Sequence, residues 1–205
     1  MDEPTIDRRS VIALHGWQSR LIQLLRAVST SPAVDTVLQR IRNRGQVRAG
    51  TGDQLAPFDL RIGSQNGEGG ILKELFFRLG QGDRFFVEFG VGDGSECNTA
   101  ALAGTYHWHG LYIEGASSLY EGLRQRYAVR EDVRCVQAMI TAENIAGLFA
   151  AAGVPTTFDL LSIDVDGNDW WLWRALRAYR PRVVVVEYNA AYVPPVRWIM
   201  QYDPA

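Results

Sequence analysis

The sequence predicts an α/β protein built on a doubly wound, mostly parallel sheet. Three observations carry this. Short apolar runs alternate with helix-like stretches from residue 84 onward. One run, Val183–Val186, is unbroken and β-branched, as in a strand covered on both faces. A third run ends in a glycine-rich turn, Glu88-Phe89-Gly90-Val91-Gly92-Asp93-Gly94.

The predicted strands are Arg84–Phe89, Gly110–Ile113, Val133–Gln137, Phe158–Ile163 and Arg182–Val186. Between them the spacing predicts helices over Glu96–Leu102, Ser118–Tyr127, Ala142–Ala152 and Trp170–Tyr179. A further helix, Gly69–Leu79, is closed by Gly80. Upstream, Val11, Leu14, Trp17, Leu21, Leu24, Leu25 and Val28 recur at helical steps, and Pro32 opens a second helix capped by Ser31. Residues 43–67 read as loop. Residues 1–68 are therefore expected to be an N-terminal helical or lid segment, and residues 69–205 a single sheet domain.

A chain of 205 residues with 47% hydrophobic and 21% charged residues has an ordinary globular composition. A net charge of −2 gives no basic footprint for nucleic acid. Two cysteines, Cys97 and Cys135, make no disulfide framework. No apolar run approaches the ~20 residues of a membrane helix, and Met1–Arg9 lacks the apolar core of a signal peptide. The expected location is the cytoplasm.

The glycine turn lets the backbone bend sharply and lets a ligand approach the main chain. A dinucleotide fingerprint needs a glycine where Ser95 stands. Glu88, two residues before the first glycine, repels a pyrophosphate and suits a cationic, amine-bearing group such as the methionine end of S-adenosylmethionine. Glu114, at the tip of the second strand, is placed to accept ribose hydroxyls. A tight strand–helix turn and a surface glutamate are the plain alternatives. Gln137 and Ala138, ending the third strand, are placed for an adenine ring.

These motifs resemble the first two cofactor segments of the class I S-adenosylmethionine-dependent methyltransferases. Leu161-Ser162-Ile163-Asp164-Val165-Asp166-Gly167-Asn168-Asp169 is similar to the signature of the FkbM-type group, which acts largely on sugar and other hydroxyls. Ser64-Gln65-Asn66-Gly67-Glu68-Gly69-Gly70 resembles the segment that precedes the first motif in that group. The likeness covers roughly residues 64–193. It implies a Rossmann-like sheet in the order 3-2-1-4-5, with Glu88, Gly90, Gly92, Asp93, Gly94, Ser95, Glu114, Gln137 and Ala138 around the donor. It also implies transfer of a methyl group to a hydroxyl of a saccharide or sugar-containing metabolite, with polysaccharide synthesis as one setting. The usual C-terminal strand hairpin has no room before Ala205.

Asp164, Asp166 and Asp169 crowd the end of the fourth strand, and Glu187 and Asn189 the end of the fifth. Hard oxygen donors there suit Mg²⁺ or Ca²⁺ rather than zinc. The resemblance implies Asp164 and Glu187 as ligands, with Asn189 or Asp166 as the third. Asp164 and Asp166 are the candidates for catalysis, since a carboxylate can take the hydroxyl proton. Equally, Asp169 can cap the next helix and Asp166-Gly167-Asn168 can be turn chemistry. Trp173 and Leu176 read as core, whereas Trp170 or Trp171 lies near enough to touch a substrate. His107 and His109 fall at the far end of the sheet, Cys97 reads as a small buried residue, and His15 reaches the site only if the first helix folds over it. An edge strand of bare valines, with apolar residues following at Tyr192, Val193, Val196, Trp198 and Ile199, predicts a homodimer. A nicotinamide oxidoreductase and a non-catalytic nucleoside-binding module are the competing readings.

Overall fold

The computed structural model describes residues 55–61, 63–187 and 195–204. The chain divides into two compact units, Met1–Leu60 and Arg61–Ala205. Within the described part of the first lies a single 3-10 turn, Ala56–Phe58, with proline in its first turn. The two N-terminal helices and His15 lie outside the described residues. All that follows concerns the second unit.

Five strands form one sheet: β1 (Phe85–Phe89), β2 (His109–Glu114), β3 (Val133–Gln137), β4 (Thr157–Ile163) and β5 (Arg180–Val186). Five helices connect or precede them: α1 (Glu68–Leu79), α2 (Ala100–Gly104), α3 (Ser117–Arg126), α4 (Ile145–Ala151) and α5 (Asp169–Ala175). The strand order is β3-β2-β1-β4-β5 and every pairing is parallel. This is the Rossmann-like order expected from the sequence. No sixth strand occurs among the described residues.

Side chains alternate across a strand, so each strand feeds two layers. Phe86, Tyr112 and Leu160 face one core, with Leu72 and Phe76 of α1, Leu102 of α2 and Leu123 of α3. Val87, Phe89, Leu111, Ile113, Leu161 and Ile163 face the other, with Ile145 and Phe149 of α4 and Leu172 of α5. The helices therefore change sides between β1 and β4. That reversal leaves a crevice off the carboxyl ends of these two strands, where open α/β sheets bind ligands. At the opposite end, the buried Asp159 accepts from the amides of Gly82 at 2.9 Å and Arg84 at 2.8 Å and pairs with Arg182, which ties β4 and β5 to the entry of β1.

β5 borders only β4, so it is an edge among the described strands. Val183 and Val185 pack partly on one core and Val184 and Val186 on the other. Among the described residues, no helix is long and apolar enough to cross a membrane.

Candidate functional site

Gly90 closes β1 at the point where the chain must turn beneath the end of β4. Its φ is +74°, and a Cβ there would lie inside the carbonyl oxygen of Asp164. Only glycine meets both conditions. Its amide donates to Ile113 at 3.2 Å and extends the β1–β2 ladder by one residue. Gly92 also has positive φ, +59°, and its amide points across the loop to Oε2 of Glu114 at 2.8 Å.

Glu88 lines the larger of two clefts at this end of the sheet and is also held by the chain itself. Its side chain is buried, and each carboxylate oxygen already accepts two hydrogen bonds from the chain. Oε1 takes the Asn98 amide at 2.9 Å and the Ser162 hydroxyl at 3.1 Å. Oε2 takes the Thr99 amide at 2.9 Å and the Thr99 hydroxyl at 2.6 Å. A carboxylate has about four acceptor positions, so the chain takes up most of its hydrogen-bonding capacity. Glu88 thus binds the backbone donors at the start of α2 to the ends of β1 and β4. This also explains why α2 begins at Ala100 and not at Glu96: the amides of Asn98 and Thr99 face a carboxylate and the chain from Ser95 to Thr99 is turn. Burial pushes the Glu88 carboxyl above its ordinary range, against the opposing pull of those four hydrogen bonds.

Glu114 is used less fully. Oε2 accepts from Gly92 and Oε1 accepts from the Ala116 amide at 2.8 Å. Two acceptor positions remain on a carboxylate that lines a cleft of 470 Å³ with Gly115, Ala138, Met139 and Ile140. Ala138 lines this cleft. Gln137 does not line it, and its amide donates to Ser117 at 2.7 Å.

A second cleft of 660 Å³ shares Gly90 with the first and extends over β1, β4 and β5. Gly92, Asp93, Ser95, Asp164 and Glu187 line it, together with Gln65, Asn66 and Glu68 from the approach to α1. The last three were legible only as part of a motif likeness. Gly94 does not line this cleft. Its φ is +72°, and its backbone packs beneath Leu123. Asp93 and Ser95 hold one another: Asp93 accepts the Ser95 amide at 2.9 Å and hydroxyl at 2.5 Å. Those bonds, and Arg126 beside them, hold Asp93 below the usual carboxylate range.

Asp164 has no hydrogen-bond partner among the described residues. Partial desolvation by the cleft raises its carboxyl, and the charges of Asp169, Asp166 and Glu68 raise it further. Glu187 is raised in the same way by desolvation and then by Asp164, Asp169 and Asp166. Asp169 is committed elsewhere: it accepts the amides of Gly167 at 3.0 Å and Val165 at 3.3 Å, shaping the turn before α5. Asp166 occupies the left-handed region, φ +50°, at that turn. Among the described residues no three His, Cys, Asp or Glu side chains converge as a ligand set. Asp164 and Glu187 are two hard donors, and Asn189 lies outside the described residues.

The tryptophans of α5 are sorted differently from the expectation. Leu172 and Leu176, four residues apart, take the core, and Trp173 is 40% exposed. Trp170 is 44% exposed and stacks edge-on with Trp173. Neither lines the two clefts. Cys97 is buried under the glycine loop and burial pushes its thiol far up, which suits packing and not attack. Cys135 is also free, pushed up to about 11. His109 opens β2 at the end of the sheet away from the clefts.

No protein-family model matches this sequence, and no curated protein does. Among solved structures, the chain is similar to one from Staphylococcus aureus provisionally named a caffeoyl-CoA O-methyltransferase. The identity is 16% and the TM-score 0.41, over 77% of this chain. The chain spans 65% of the length of that protein.

Proposed function

We propose that this chain is an S-adenosylmethionine-dependent O-methyltransferase whose acceptor is a hydroxyl of a saccharide or sugar-containing metabolite. The observation that carries the reading is Glu114. It stands at the tip of β2, holds the glycine loop through Gly92, and keeps acceptor capacity toward a nucleoside-sized cleft. The adjoining cleft supplies the second half. Its acids leave a negative field around Asp164 that favours a cation at the point shared by both clefts.

S-adenosylmethionine, when bound, supplies an electrophilic methyl group on a cationic sulfur. Glu114 would hold the ribose and Ala138 would border the base. Asp164 would accept the acceptor's hydroxyl proton as the oxygen bonds to the methyl carbon and the carbon–sulfur pair returns to sulfur. The raised position of its carboxyl makes it a stronger base than an ordinary aspartate. Gln65, Asn66, Glu68 and Asn98 give the acceptor side a wall of amides and a carboxylate. Such groups bond sugar hydroxyls, and this polarity is what favours a saccharide over an aromatic acceptor.

Mg²⁺ assistance is a further element of the proposal. It is supported by the repulsion between Asp164 and Glu187, which a divalent cation would relieve. Two donors alone fall short of a full ligand set.

The test is transfer of a labelled methyl group to a panel of sugar acceptors, before and after EDTA and again with added Mg²⁺. The proposal expects labelled sugar and S-adenosylhomocysteine in equal amounts. Tight NADH binding with no response to either S-adenosyl ligand would overturn it.

A further inference from the structure

Residues 195–204 cross the mouth of the 470 Å³ cleft, and their contacts are specific. The Trp171 indole donates to the Met200 carbonyl at 2.9 Å. The Asn168 side-chain amide donates to the Asp203 carbonyl at 2.6 Å, and the Asp203 amide returns a bond to Asn168 at 3.3 Å. The Tyr202 hydroxyl accepts the Ala142 amide at 2.9 Å and donates to Glu143 at 2.6 Å. Tyr202 also packs against Trp171, ring centres 5.8 Å apart. Residues 200–203 are thus fastened through Tyr202 to the loop after β3 and through Met200 and Asp203 to α5 and the turn that precedes it. These elements bound the cleft, and Met200, Asp203 and Pro204 themselves line it.

Two methionines flank the cleft. Met139 lies over Gly115, after β2, and Met200 lies over Gly167, in the turn after β4. A Cβ on either glycine would collide with the sulfur above it. Both side chains are exposed, Met139 by 67% and Met200 by 45%, and each lines the cleft beside the apolar side chains of Ile113, Val165 and Leu172, with Glu114 and Asp166 also on its wall. Thioethers make favourable, adaptable contacts with aromatic rings.

We infer that residues 198–204 are a strap forming one wall of a nucleoside site, with the base held between Met139 and Met200. Tyr202, Asn168 and Trp171 are the latch that keeps the strap on the cleft. The inference deepens the methyltransferase reading and rests on its placement of the donor's nucleoside over Glu114. The strap would slow release of the bound nucleoside, because the latch must open before the base leaves.

The experiment uses the full chain with S-adenosylhomocysteine and, separately, adenosine. Calorimetry and stopped-flow release are measured for wild type, Met200→Ala, Tyr202→Phe and Glu114→Ala. Trypsin cleavage after Arg197 is followed by mass spectrometry with and without each ligand. The inference expects about tenfold weaker binding in Met200→Ala, carried mainly by faster release. It expects Tyr202→Phe to speed release and the appearance of the fragment beginning at Trp198, and bound ligand to slow that cut in the wild type. Folding of each variant is read from its thermal transition, and the protection of wild type needs no variant. Unchanged affinity in Met200→Ala and Tyr202→Phe, with Glu114→Ala weakened and no protection after Arg197, overturns the strap and leaves the donor reading standing. Protection by adenosine with no binding of S-adenosylhomocysteine supports the strap and removes the donor reading. Binding of neither ligand removes both.

Discussion

The Gly92 amide donates to Oε2 of Glu114 at 2.8 Å, so the glycine loop after β1 is tied to the tip of β2. The tie makes one carboxylate serve both the shape of the loop and the cleft beside it. Glu114→Ala removes a charged acceptor from two backbone amides, Gly92 and Ala116. A hydrogen bond to a charged group contributes about 1.5–3 kcal/mol, and solvent reaching the loop offsets part of that. The predicted outcome is a stability loss of about 2 kcal/mol and at least tenfold weaker S-adenosylhomocysteine binding. Thermal unfolding and calorimetry check the two effects. Glu114→Gln should recover part of the stability and less of the binding, because its amide nitrogen cannot accept.

Glu88 is predicted to matter for folding before it matters for ligand. Glu88→Ala leaves three donors before α2, the Asn98 amide and the Thr99 amide and hydroxyl, and the Ser162 hydroxyl of β4 without this acceptor, at a cost of roughly 3 kcal/mol or more. Glu88→Gln turns an amide nitrogen toward two donors and should cost about 1–3 kcal/mol. The pH dependence has a definite sign. The folded-state pKa of Glu88 is raised, so its contribution is fully present below its unfolded pKa and is lost as pH rises through the folded value. Denaturant midpoints measured from acid to neutral pH should show this slope in the wild type and lack it in Glu88→Gln.

All five strands were legible because each is a largely apolar run bounded by turn residues, whereas their order came only from the motif likeness. The strand ends shifted by one or two residues, as at Arg180 and Pro181, which carry no strand signal but follow β4 in register. The start of α2 was not legible. Glu96 to Thr99 look helical in isolation, and the buried Glu88, ten or eleven residues upstream, takes the amides of Asn98 and Thr99. The same fact bears on the site. An acid ahead of a glycine turn signals an acceptor, but the sequence does not say whether ligand or backbone fills it. Trp173 failed for a different reason. Three tryptophans and a leucine in four positions cannot all face the sheet, and Leu172 holds the inward position. The strap was invisible because its partners, Asn168, Trp171 and Ala142, are brought to it by the ends of β3 and β4.

A homodimer remains a proposal, and it rests on β5. Its outer edge has no neighbouring strand among the described residues, and its four valines carry no charge to discourage pairing. Val196, Trp198 and Ile199 are each more than half exposed, at 56%, 51% and 51%. Light scattering is expected to give twice 22.9 kDa, and Trp198→Glu to shift the protein toward monomer. A monomer unchanged across micromolar dilution would defeat the proposal.

Asp164 provides the sharpest separation of function from stability. Its carboxyl is raised by partial desolvation first and then by the like charges of Asp169, Asp166 and Glu68. A group raised in the folded state favours folding when protonated and loses that contribution as pH rises through its folded pKa. At neutral pH its charge therefore works against the fold, and Asp164→Asn is predicted to keep or raise the melting temperature there. The same substitution removes the proposed proton acceptor. On that proposal, methyl transfer should fall by orders of magnitude while S-adenosylhomocysteine affinity changes little, since Glu114 and the cleft it lines are untouched. In the wild type, activity should decline toward acid through a single ionisation above the ordinary aspartate range, and the residual activity of Asp164→Asn should lack that step. Three measurements on one pair of proteins check this: thermal unfolding at neutral pH, calorimetry with S-adenosylhomocysteine, and the pH profile of labelled methyl transfer. A variant that loses donor affinity and melting temperature together would mark Asp164 as a structural support of the β4 turn and not as the base.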